Sequence, residues 1–137
     1  MKAIKTITLC CLLLSLTLSL FACSAEELSY RQISSDEAKA LMETESDYII
    51  LDVRRADEFV SGHIKGALNL PNEEISGDEL TENITSLLPD QDQLILVYCR
   101  SGRRSKEAAS KLASLGYTNI TEFGGIIDWT GETVTGS

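Results

Sequence analysis

Four cations, a glycine and a cysteine fall within eight consecutive residues of this 137-residue chain: Cys99-Arg100-Ser101-Gly102-Arg103-Arg104-Ser105-Lys106. Only the ionised form of a thiol is a strong nucleophile, and a free cysteine of pKa ~8.5 is about 3% ionised at pH 7. Arg100, Arg103, Arg104 and Lys106 favour the anion, and no acid intervenes before Glu107. A fall of about two pKa units would make most of the thiol anionic, at ~1.4 kcal/mol per unit. The same guanidinium groups and loop amides could hold an oxyanion or a sulfur-bound anion. Cys99 is therefore a candidate catalytic nucleophile. Arg100, Ser101, Gly102, Arg103 and Arg104 are candidate substrate-binding residues, and Ser105 a supporting one. The competing reading is an inert core cysteine closing a strand, with Arg100 or Lys106 as solvated surface charges.

The elements around this turn must position it. Leu94-Ile95-Leu96-Val97-Tyr98 is a short apolar run and reads as a buried strand ending at Cys99. Ser105 to Leu115 carries Ala108, Ala109, Leu112 and Leu115 on one helical face, with Gly116 placed to stop it. The thiol thus lies where a strand hands over to a helix N-terminus, the usual place for chemistry in an open α/β sheet.

The rest of the chain reads in the same alternating way. Tyr30 to Ile33 is a short edge strand. Ser34 and Glu37 form a capping box opening a helix through about Met42. Tyr48 to Val53 is a near-continuous apolar strand, the pattern of a strand covered on both faces. Asp52 near its end needs a partner, which Arg54 or backbone donors could supply. Ala56 to Ser61 reads as a short helix ending at Gly62 with Phe59 buried, and His63 follows in a turn. Ala67 to Leu70 is a short strand closed by Pro71. Asp78 or Ser76 caps a helix carrying Leu80, Ile84, Leu87 and Leu88. Tyr117 to Phe123 is the last strand, Ile126 to Trp129 a helical turn with Trp129 as a core plug, and Thr130 to Ser137 a loose polar tail. Strands alternating with helices argue a parallel sheet with helices on both faces.

With these residues in view, three motifs resemble the rhodanese-like (thiosulfate sulfurtransferase) family. The turn C-R-S-G-R-R-S is similar to its active-site loop. Asp52-Val53-Arg54, Glu58-Phe59 and Gly62-His63-Ile64-Lys65-Gly66-Ala67 resemble its D-V-R-x-x-x-E-F-x-x-G-H-I-x-G-A signature. Gly124-Gly125-Ile126 with Trp129 resembles its closing G-G-x-x-x-W. The resemblance implies an α/β, rhodanese-like single domain of about five parallel strands with helices on both faces. It implies a sulfurtransferase that moves sulfane sulfur from a small anionic donor such as thiosulfate, through a Cys99 persulfide, to a thiol or protein acceptor. Asp52, Arg54 and Glu58 become a supporting polar network. His63 holds backbone groups as a supporting residue, against the alternative of a general base, since rhodanese-like transfer needs no histidine. Two other function classes remain open. One is a low-turnover sulfur-carrier or protein-binding module; the other, ranked lower, is a phosphatase- or arsenate-reductase-like enzyme, whose loop has an arginine where Ser105 stands here.

The start of the chain is read as targeting sequence. Lys2 and Lys5 precede the uncharged apolar stretch Ile7 to Ala22, whose sixteen residues span about 24 Å as helix, short of a ~30 Å hydrocarbon core. Leu20-Phe21-Ala22-Cys23 resembles a bacterial lipobox, which implies cleavage before Cys23 and a diacylglyceryl group on its sulfur. The expected organisation is a signal peptide over residues 1–22, a lipid-anchored tether over 23–29, the domain over 30–131 and the tail over 132–137. Export to the cell envelope with a membrane anchor at Cys23 follows. The remaining 115 residues hold ten basic and 21 acidic side chains, a net charge of −11, which disfavours nucleic acid as a partner. Cys10 and Cys11 leave with the signal and lipid consumes Cys23, so Cys99 is the remaining thiol and no intrachain disulfide forms. One cysteine and one histidine offer no metal site, and neither metal nor cofactor is expected. A monomer is expected.

Overall fold

The structure, a computed structural model, describes residues 29–137. The expected signal peptide, Cys23 and all but the last residue of the tether lie outside the described residues. The elements run β1 (Arg31–Gln32), α1 (Ser35–Thr44), β2 (Tyr48–Asp52), α2 (Ala56–Ser61), β3 (His63–Ile64), β4 (Leu68–Asn69) and α3 (Glu82–Leu87). Then follow β5 (Leu94–Cys99), α4 (Arg103–Ser114), β6 (Ile120–Gly125) and β7 (Thr133–Val134), with 3₁₀ turns at Asn72–Glu74 and Ile126–Asp128. The fold is α/β: a five-stranded sheet in the order β1-β6-β5-β2-β4, with every pairing parallel.

β5 lies at the centre, between β2 and β6. Its alternation explains why the apolar run has no polar face. Ile95, Val97 and Cys99 enter one core with Leu51, Val53 and the α4 residues Ala108, Ala109 and Leu112. Leu96 and Tyr98 enter a second core with Ile50, Ala38 of α1 and Phe123. A strand buried on both faces gains from apolar side chains at every position. The helices therefore cover both sides of the sheet.

Several local signals have the expected chemistry. Ser34 caps α1 through the Glu37 amide while the Glu37 carboxylate accepts from Ser34 N–H at 2.8 Å. Gly62 ends α2. Other expectations are corrected. α3 is capped by Thr81, not by Asp78 or Ser76, so Leu80 lies outside the helix and is 43% exposed. The last core strand starts three residues later than the apolar run suggests and ends two later, taking in Gly124 and Gly125. His63 stands in a strand, and the tail is tied down: Thr133–Val134 pairs antiparallel with His63–Ile64, and the Gly136 amide donates to Val60 O at 2.9 Å. A two-residue ribbon is too short to leave a periodic signature.

β6 carries a register shift that matters for the site. Val97 pairs with Glu122 and Cys99 with Gly125, so three residues of β6 match two of β5. The extra residue sits beside Gly124, at φ +89°, the left-handed backbone that a bulge of this kind takes up with least strain at glycine. The bulge turns the end of β6 toward the loop after β5.

Candidate active site

Cys99 is the last residue of β5, and α4 begins at Arg103, two residues earlier than its apolar spacing indicates. Gly102 makes the early start possible: at φ +103° it reverses the chain within one residue, at a conformation that other residues adopt with strain. Ser105 is thereby drawn into the first turn of α4, and its side chain meets the sulfur. The Gly102 N–H donates to Cys99 Sγ at 3.0 Å, and Ser105 Oγ lies 3.4 Å away.

The thiol is 1% exposed. Burial alone would push it up, but the Ser105 hydroxyl and the amides of Ser105, Gly102 and Ser101 outweigh this and hold the thiol below its ordinary value. Four donors converging on one sulfur form an anion nest at a helix N-terminus. One flank of Cys99 packs in the apolar core. The other closes the floor of a hollow of about 370 Å³ lined by Arg55, Glu58, Glu73, Arg100, Ser101, Arg103 and Arg104.

The arginines of the loop divide into two kinds. Arg104 is engaged: its guanidinium holds Glu58 bidentately at 2.7 and 2.9 Å. That hydrogen bond, against modest burial, carries the Glu58 carboxyl from 4.5 down to about 2. Arg104 thus lines the hollow over Cys99 and at the same time clamps α2 to the start of α4. Arg100 and Arg103 make no ion pair among the described residues and remain as the cations of the loop. Lys106 lines a different hollow, beside Gln32, Ser34 and Glu37.

Asp52, Arg54 and Glu58 do not form one network. Asp52 is fully buried and takes Arg54 at 2.7 Å and the Tyr98 hydroxyl at 2.7 Å. Arg54 continues to Gly62 O at 2.7 Å, and Tyr98 Oη accepts the Ile64 amide at 3.1 Å. This cluster fixes the end of α2 and the start of β3 to β5. Glu58 belongs instead to the mouth of the site through Arg104. The His63 ring stacks on Phe59 at 3.7 Å, with Nδ1 2.9 Å from Phe59 O. It is taken up there, outside the hollow over Cys99.

Three residues at the site escape a reading by motif, Glu73 at the mouth among them. Arg55 lines the mouth beside Glu58. Glu122, 2% exposed, accepts from Ser105 Oγ at 2.6 Å and from the Gly124 amide at 2.8 Å. The signal for Glu122 is present in the sequence: a carboxylate inside an apolar strand needs buried donors.

Gly125 completes the geometry by having no side chain. A Cβ there would overlap the Arg100 carbonyl and stand 2.6 Å from Ser101 Cα. The loop after Cys99 thus rests directly on the β6 backbone, and the Ile127 amide donates to Arg100 O at 3.3 Å.

Comparison with known proteins agrees with this fold. The model of the rhodanese-like domain matches residues 34–132. The chain is 35% identical over 78 residues to the thiosulfate sulfurtransferase PspE of Escherichia coli (strain K12), covering 57% of this chain and 70% of that protein. It is 38% identical over 109 residues to thiosulfate sulfurtransferase 18 of Arabidopsis thaliana, covering 74% of this chain and 76% of that one. Among solved structures it is similar to a rhodanese with anions from E. coli, at 32% identity and a TM-score of 0.57, over 65% of this chain and 99% of the other. With the family match spanning all but the edges of the described fold, the chain belongs to the rhodanese-like domain family.

Proposed function

We propose that the protein is a thiosulfate sulfurtransferase working through a persulfide on Cys99. The observation that carries this reading is the nest of amides on Sγ, with the Gly102 N–H at 3.0 Å, at the floor of a hollow rimmed by Arg100 and Arg103. The Cys99 thiolate attacks the outer sulfur of thiosulfate. The sulfur–sulfur bond of the donor breaks, and sulfite leaves with its electron pair. Cys99 then carries one extra sulfur as an anionic persulfide, and the loop amides face that charge as they faced the thiolate. A thiophilic acceptor, cyanide in an assay or a thiol or protein in the cell, takes the outer sulfur and returns the thiolate. Two half-reactions through one covalent intermediate give ping-pong kinetics. No metal or cofactor enters this scheme.

Arg100 and Arg103 are the residues assigned to draw in the anionic donor, Arg104 and Glu58 to hold the mouth, and Ser101, Gly102 and Ser105 to stabilise the sulfur. On the sequence pattern alone, the same reading places the protein in the cell envelope with a lipid on Cys23. The test of the chemistry is steady-state turnover of thiosulfate with cyanide. Wild type should give parallel double-reciprocal lines and Cys99→Ser should give no turnover; a serine variant of normal rate overturns the proposal.

A further inference from the structure

Ser105 has one hydroxyl proton and more acceptors than that proton can serve. Its Oγ lies 2.6 Å from Glu122 Oε1, 3.0 Å from Gly102 O, 3.3 Å from Gly124 O and 3.4 Å from Cys99 Sγ. The contact to Glu122 is the shortest, in the range of a charge-assisted O–H···O⁻ bond. A serine hydroxyl donates once, so it cannot serve a Glu122 carboxylate and a Cys99 thiolate together. The bulge in β6 is what sets Glu122 here: the Gly124 amide, turned back at 2.8 Å, holds the same Oε1 that faces Ser105.

We infer that Cys99 and Glu122 share one proton through the Ser105 hydroxyl, and that Glu122 is the positioning residue to which the thiol proton passes when the nucleophile forms. The inference rests on the reading of Cys99 as nucleophile and adds to it a route for the proton. In the neutral-thiol state, Cys99 S–H donates to Ser105 Oγ and the hydroxyl donates to the Glu122 carboxylate. On ionisation the S–H proton moves to Ser105 Oγ while the hydroxyl's own proton moves to Glu122. One negative charge passes from carboxylate to sulfur, and nothing is oxidised or reduced. The hydroxyl then donates to the thiolate alongside the loop amides. Once sulfur is bound, the charge sits one atom further out, and the hydroxyl is free to return to the carboxylate.

The surroundings give that proton an exit. Glu122 lines a second hollow with Gln32, Ser34, Glu37 and Lys106, which adjoins the one over Cys99 at Ser101. The proton thus has a way out on the Lys106 side of Ser101, and the sulfur donor a way in on the Arg103 side. The charged and titratable groups facing Glu122 are Glu37 of α1, Lys106 of α4, Cys99 of β5 and Tyr30 just before β1. Burial, and then the Glu122 charge, hold the Tyr30 hydroxyl above its ordinary value.

The test is the pH profile of Cys99 alkylation by iodoacetamide in the full chain, read from the mass of the proteolytic peptide bearing Cys99. It uses no sulfur donor, so its outcome is independent of whether sulfur transfer occurs. Glu122→Gln keeps an acceptor for the Gly124 amide but takes no proton. It should lower the midpoint of the profile by about one unit, roughly tenfold more thiolate at a given pH below it. In a Ser105→Ala background the same substitution should move the midpoint by less than about half as much. An equal shift in both backgrounds would mean that Glu122 acts by charge through space, and overturns the shared proton. A folded Glu122→Gln that keeps the wild-type midpoint overturns it as well.

Discussion

At the scale of residues, the acidity of one thiol follows from where four donors point. Burial opposes the Cys99 anion, while the Ser105 hydroxyl and the amides of Ser105, Gly102 and Ser101 favour it and prevail. The alkylation rate of Cys99 should therefore reach half its plateau at a lower pH than that of N-acetylcysteine under the same conditions, whereas a midpoint above it would show that burial wins. Glu58 gives a second pH signature. Its carboxyl is depressed from 4.5 to about 2 by Arg104, so its contribution to stability is whole above pH 4.5 and is lost as the pH falls through that value toward 2. Thermal melting of wild type and Glu58→Gln should converge across that window; a constant difference down to pH 2 would contradict the pairing. The cysteine, its arginines and its glycine were legible as chemistry because their types are unusual together. The division of labour among the arginines was not, because Arg103 and Arg104 are adjacent and identical in sequence. Only the helical turn that begins at Gly102 sends one to Glu58 and leaves the other at the rim.

At the scale of elements, the loop is held by what lies beneath and behind it. Gly125 is the floor. Gly125→Ala would force the Arg100 and Ser101 backbone away, since the atoms in the way are main chain rather than a flexible side-chain tip. Turnover should fall by tenfold or more, on the order expected when catalytic donors shift by about an ångström, while far-UV circular dichroism stays as in wild type. Unchanged turnover would show that the loop does not depend on this contact. Behind the loop, Tyr98 donates to Asp52 and accepts from Ile64 N–H. Tyr98→Phe leaves both buried groups short of a partner, and should cost about 1–3 kcal/mol in urea unfolding; a neutral substitution would contradict the role assigned to this cluster. The long elements β2, β5 and α4 could be read from their apolar patterns. The bulge in β6 and the β3–β7 ribbon could not, because each depends on pairing partners far apart in the chain: Cys99 with Gly125, and His63 with Val134.

At the scale of the whole molecule, a chain of net charge −9 places over its sulfur two arginines that make no ion pair among the described residues. Long-range repulsion and local attraction of an anionic donor oppose one another. Near 0.15 M salt the Debye length is about 8 Å, so the arginines at the mouth dominate, and at 1 M it is about 3 Å. The kcat/KM for thiosulfate should therefore fall several-fold between those salt concentrations, while alkylation by neutral iodoacetamide changes little; a rise would mean that the acidic body governs encounter. The architecture was the most legible level, because alternating strands and helices leave few parallel topologies, and the central strand delivers its last residue to the head of a helix. The most direct measurement of the central claim is the mass of Cys99 after thiosulfate treatment under non-reducing conditions. The peptide bearing Cys99 should gain one sulfur, about 32 Da, and lose it on adding cyanide, in keeping with a covalent intermediate. A folded protein whose Cys99 gains no mass in excess thiosulfate would contradict the account.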